Sequence, residues 1–128
     1  MIIITNNKYV FEKFKYDFNI IYSEDLTYIE ILQVARDKVY EGHRLMTHPM
    51  SSSIKPNETL YKSIIISEEK LNLDFRDIRD IEIIGESILV AESFLKDKIT
   101  PNWTREVLQD FKTIDLSLIE NVIKKLSY

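Results

Sequence analysis

His48 and Lys55 each precede a proline, Pro49 and Pro56, and Ser51, Ser52 and Ser53 run between them. A residue before proline is pushed out of the right-handed helical region into extended backbone, so the side chains best suited to proton transfer and to holding a charge sit on stiffened chain. Serine hydroxyls, backbone N–H groups and an ammonium on one loop suit a compact oxyanion. His48 is the candidate acid-base residue of such a site, and Lys55 the candidate cation. If Lys55 donates a charge-assisted hydrogen bond, Lys55→Ala should cost about 1.5–3 kcal/mol of binding. Residues 42–63 carry Arg44, Lys55 and Lys62 against Glu58 alone, a net +2, leaving −6 for the remainder, where 14 basic residues face 20 acidic ones. A basic island in an acidic protein attracts a small anion better than a polymer. The same residues also read as a solvated loop whose prolines only shape the turn.

Other chemistries are less well supplied. A nucleophilic serine beside His48, oriented by Glu58, lacks the pattern of a nucleophile elbow. His43 and His48 do not have the HExxH interval, and Glu24 and Glu58 are the only other plausible ligands, so no metal and no cofactor is expected. Neither GxxxxGK[ST] nor GxGxxG occurs, which removes the common nucleotide loops. With no cysteine in 128 residues, disulfides, thiolate metal sites and thiol redox work are excluded. The net charge of −4 and pI near 5.2 argue against a nucleic-acid partner. No apolar run approaches a membrane span and MIIIT is too short for a signal peptide, so no membrane partner and a cytoplasmic location are expected. Trp103 and the tyrosines fall mostly at positions where packing explains them.

The elements that must position these residues follow from periodicity. Ile2-Ile3-Ile4 reads as a strand buried on both faces, ending at Thr5-Asn6-Asn7. Val10, Phe11 and Phe14 have helical spacing, and residues 18–22 form a second strand that stops at Ser23-Glu24-Asp25. Tyr28, Ile31, Leu32, Ala35 and Val39 mark a helix face, with Thr27 and Glu30 as a capping box and Gly42 as the stop. Residues 44–47 and 63–66 read as strands three and four. Between them lie about a dozen residues without periodicity, a loop length usually tied to function or disorder. Ile78, Ile81, Ile84, Ile88, Ala91 and Leu95 mark a long helix, which Pro101 breaks. Two further helical stretches are expected, one around Val107, Leu108 and Phe111, the other starting near Asp115 with Ser117 and Glu120 as a second capping box.

Strands alternating with helices predict a single α/β domain over 1–128. The expected form is a small three-layer domain with a mostly parallel sheet of about four strands and extra C-terminal helices. If strands one and three are parallel neighbours, Asn6 or Asn7 and the loop 48–57 share a carboxyl rim, where ligands of such sheets bind. The candidate ligand residues are then Asn6, Asn7, Ser51, Ser52, Ser53, Lys55, Asn57 and Lys62. His43 belongs at the opposite end of strand three, with a structural role.

The run GHRLMTHPMSSSIKPNETLYKS at 42–63 resembles the signature of the GrdX family, small proteins associated with the glycine reductase systems of anaerobic, amino-acid-fermenting bacteria. ITNN at 4–7 and VLQDFKTIDLSLIE at 107–120 resemble the family as well, so the likeness spans nearly the whole chain. Met50, Ser52 and Leu60 depart from the Leu, Gly and Pro of that pattern. Serine at 52 makes close ligand approach costlier than glycine would. The resemblance implies a cytoplasmic accessory protein of a glycine-reductase-type pathway, with a small anionic ligand or the reductase components as partners. The competing reading is an enzyme acting on a small phosphorylated or carboxylated metabolite, with His48 as acid-base residue and Lys55 and the serines holding the anion. A third is a docking module without a small ligand.

Overall fold

The computed structural model describes residues 1–52, 54–71 and 78–126. Its elements run β1 (Ile2–Thr5), α1 (Lys8–Phe14), β2 (Asn19–Tyr22), α2 (Tyr28–Tyr40), β3 (His43–Leu45), β4 (Ser63–Lys70), α3 (Ile78–Asp97) and α4 (Arg105–Leu126). Local chemistry accounts for most boundaries. Asn7 caps α1 by accepting from the Tyr9 N–H at 3.0 Å. Thr27 and Glu30 form the reciprocal capping box of α2, satisfying two amides that a helix start leaves without partners. Gly42 follows α2 with φ 113°, and a Cβ there would lie 2.7 Å from the Leu71 carbonyl oxygen. Only glycine fits that turn without strain.

The four strands have the order β2-β1-β4-β3, with β1 parallel to β2 and antiparallel to β4, and β3 antiparallel to β4. The sheet is therefore mixed, not mostly parallel as the strand–helix alternation suggests, and β4 separates β1 from β3. The cause lies in the 46–62 connection. A parallel return needs a crossover to the far end of the sheet, normally carried by a helix, and the described residues of this segment contain none. It folds back at the rim where β3 ends, so β4 starts there and runs the other way. β1 and β3 still point in the same direction, and the rim collects the carboxyl ends of β1, β2 and β3 with the amino end of β4.

Residue alternation divides the core. Ile4, Ile64 and Ile66 pack with Ile31, Leu32 and Ala35 of α2 and Ile84, Ile88 and Ala91 of α3. Ile3 and Ile65 point the other way, toward Val10 and Phe14 of α1 and Ile119 of α4. Each fully buried isoleucine contributes about 1.5–3 kcal/mol, so the β1–β4 pair anchors both layers of side chains. The two C-terminal helical stretches expected from sequence are one helix, α4. No glycine or proline interrupts residues 105–126, and Ser117 lies mid-helix and exposed. Its spacing to Glu120 is a capping signal only where the preceding turn is not already helical. Among the described residues, no helix is long and apolar enough to cross a membrane.

Candidate functional site

Thr5 and Ser63 are register partners at the rim, and their hydroxyl oxygens lie 2.6 Å apart. Ser63 also donates to Asp115 Oδ2 at 2.6 Å. Asn7 Nδ2 donates to the same oxygen at 3.0 Å and to the Lys112 carbonyl at 2.9 Å. The Asn7 backbone N–H donates to Thr5 Oγ1 at 2.9 Å. β1, β4 and α4 are thus tied by one polar network beneath the rim. Asp115 also lines a narrow cavity of about 20 Å³.

Lys62, at the amino side of β4, lines the same cavity and is only 4 % exposed. Its ammonium makes no hydrogen bond or ion pair among the described residues; its charged end lies 5.6 Å from the centre of the Tyr28 ring. Thr47, Ser51, Ser52, Thr59 and Tyr61 contribute to the walls, and exposed Ser51 and Ile114 stand at the mouth. Burial lowers the Lys62 ammonium to about 8, against a weaker opposing pull from Asp115. Burial raises the Asp115 carboxyl, opposed by its hydrogen bonds from Ser63 and Asn7 and by the Lys62 charge. Asp115 as a whole residue retains some exposure, but its carboxyl end is desolvated. Tyr28 is pushed up to about 12, first by burial and then by Asp115. The site holds an acid and a base whose environments draw them toward neutrality, the arrangement functional sites favour.

Asn6 shapes the neighbouring wall. Its side chain donates to the Leu26 and Leu60 carbonyls at 2.9 and 2.8 Å and accepts from the Lys62 N–H at 2.9 Å. These bonds clamp the β2–α2 turn to the chain entering β4. On their outer side lies a wider groove of about 530 Å³, with Leu26, Leu60 and Leu95 along it and Glu24 and Asp25 at its edge. Tyr28, Thr59 and Tyr61 line both spaces.

The sequence candidates therefore separate. Ser51, Ser52 and Lys62 line the narrow cavity, and Asn6 and Asn7 hold its frame. Ser53 lies outside the described residues. His48 is exposed outside the cavity, its Nδ1 accepting from the Met50 N–H at 3.0 Å, which leaves the proton of a neutral ring on Nε2. Lys55 is exposed too, its ammonium 5.8 Å from the Phe94 ring centre. Asn57 Oδ1 is buried without a hydrogen-bond partner among the described residues and does not line the cavity. His43, at the far end of β3, is buried at 6 % exposure with Nδ1 2.7 Å from the Ser67 carbonyl. Since that carbonyl only accepts, Nδ1 carries the proton.

Sequence reasoning passed over Asp115, Thr47, Thr59 and Tyr61 as site residues. For Asp115 a signal existed: it stands four residues from both Phe111 and Ile119, a carboxylate on an apolar helix stripe.

The GrdX-like protein family model matches residues 2–124. The chain belongs to that family. The match takes in Tyr28 of α2, the 46–62 connection, Ser63 of β4 and the part of α4 that lines the cavity. Nothing among curated proteins or solved structures matches the chain.

Proposed function

We propose that this GrdX-like protein is a cytoplasmic accessory component of a glycine-reductase-type pathway that binds a small oxyanion at the Lys62 cavity. One observation carries the binding reading: an ammonium 4 % exposed, lining a cavity, with no hydrogen bond or ion pair among the described residues. A buried cation without a directly paired counter-charge is costly, and an anion bridging Lys62 to the hydroxyls of Thr47, Ser51 and Ser52 lowers that cost. Burial raises the Asp115 carboxyl, and a carboxyl shifted toward its neutral form repels an anion less. The pathway context comes from family membership, and the absence of cysteine gives the protein a non-redox part in it.

The cavity, about 20 Å³, is room for roughly one water, so it suits a carboxylate oxygen of formate, acetate or a larger acid, with the rest of the ligand toward the opening. Calorimetric titration with formate, acetate and phosphate tests the reading. Saturable binding that Lys62→Met abolishes supports it; no binding of any of the three overturns it. Pull-down from a native host tests the accessory role. Failure to retain any reductase component, together with unchanged reductase activity on deletion, removes that part.

A further inference from the structure

We propose that Lys62 is an imine-forming amine that takes a short-chain aldehyde or 2-oxo acid at the same cavity. The inference rests on the Lys62 cavity described above and adds a covalent step to it. An amine that forms imines must shed its proton near neutral pH, keep its lone pair free of hydrogen-bond donors, and meet the carbonyl beside a proton source. Lys62 meets each requirement through its position. It is 4 % exposed, and the Tyr28 ring lies near its charged end. It is not paired with Asp115, whose Oδ2 is already occupied by Ser63 and Asn7. Here both groups line a cavity without touching.

The chemistry balances within the site. The neutral amine adds to the carbonyl carbon, a C–N bond forms, and the carbonyl oxygen takes a proton from the Asp115 carboxyl. The nitrogen returns one proton to Asp115. A second protonation of the same oxygen expels it as water and leaves the protonated imine beside the Asp115 carboxylate. No oxidant or reductant is needed. Burial lowers the ammonium to about 8 and raises the carboxyl, so both shifts run toward the neutral forms that this proton exchange uses. The cavity, about 20 Å³, is room for roughly one water, so even a two-carbon carbonyl compound enters only as the wall at exposed Ser51 and Ile114 opens.

Reductive trapping on the unaltered protein tests the inference. The protein is incubated near neutral pH with cyanoborohydride and either acetaldehyde or glyoxylate, and each lysine is followed by peptide mass spectrometry. Lys62 should acquire its ethyl or carboxymethyl group at least about tenfold faster than exposed Lys55, because it holds far more free amine. Modification of Lys62 no faster than of Lys55 overturns the proposal. Acetaldehyde carries no negative charge, so its adduct reports the amine alone, whereas formate calorimetry reports the anion site. Formate binding without trapping overturns the imine and leaves anion binding standing. Trapping without formate binding does the reverse.

Discussion

Asn7 Nδ2 donates to Asp115 Oδ2 at 3.0 Å across 108 residues of sequence, and this bond joins the turn after β1 to the middle of α4. Ser63 donates to the same oxygen. Asp115→Ala should therefore strand two buried donors and destabilise the fold by about 2–4 kcal/mol in urea unfolding. Asp115→Asn keeps an acceptor in place and should cost about 1 kcal/mol or less. Equal losses for the two variants would mean that the network does not depend on this oxygen.

Lys62 titrates at about 8 in the fold against an ordinary 10.5, so between those values the unfolded chain holds more protons than the folded one. Stability attributable to this group therefore rises with pH across that window, and below pH 8 the cost of burying its charge is complete. Lys62→Met should stabilise the protein by about 1–3 kcal/mol at neutral pH. The gain should shrink as pH climbs toward 10.5, which a series of thermal melts would follow. A destabilised variant at neutral pH would show that the ammonium has partners worth more than its desolvation.

Anion affinity should move the opposite way, because the bound anion needs the charged ammonium. Formate binding should weaken about tenfold between about pH 6 and about pH 9, as Lys62, lowered to about 8, loses its proton. Lys55→Ala should leave that affinity within about twofold, since an exposed charge outside the cavity is screened by solvent. A large effect of Lys55 with none of Lys62 would return the site to the outer loop.

The two glycines should respond in opposite directions. Gly42 has φ 113° and a Cβ there would meet the Leu71 carbonyl oxygen at 2.7 Å, so Gly42→Ala should lose about 2 kcal/mol or more. Nothing lies within 4 Å of a Cβ at Gly85 in α3, and Gly85→Ala should gain about 0.5–1 kcal/mol by helix propensity. Chemical denaturation of both variants checks the pair.

Much of this protein was legible from local chemistry. The β-branched runs of β1 and β4, the Thr27–Glu30 box, Gly42 as the end of α2 and the apolar face of α3 each depend on residues within a few positions of one another, where sterics and helical or strand periodicity act directly. The concentration of polar motif residues in 42–63 was visible for the same reason, and it contained Ser51, Ser52 and Lys62. What only the tertiary structure decided is nonlocal. The direction of β4 follows from where the 46–62 connection returns, which no periodicity within that segment states. The unbroken α4 follows from packing against Ile3 and Ile65, which outweighs a capping pattern at Ser117. Lys62 rather than Lys55 is the buried cation because β4 begins beneath α4, and Asp115 becomes a desolvated acid because the chain brings Asn7 and Ser63 to it from distant positions. Burial sets the proton affinity of both groups, and burial belongs to the packed fold, not to the residue types.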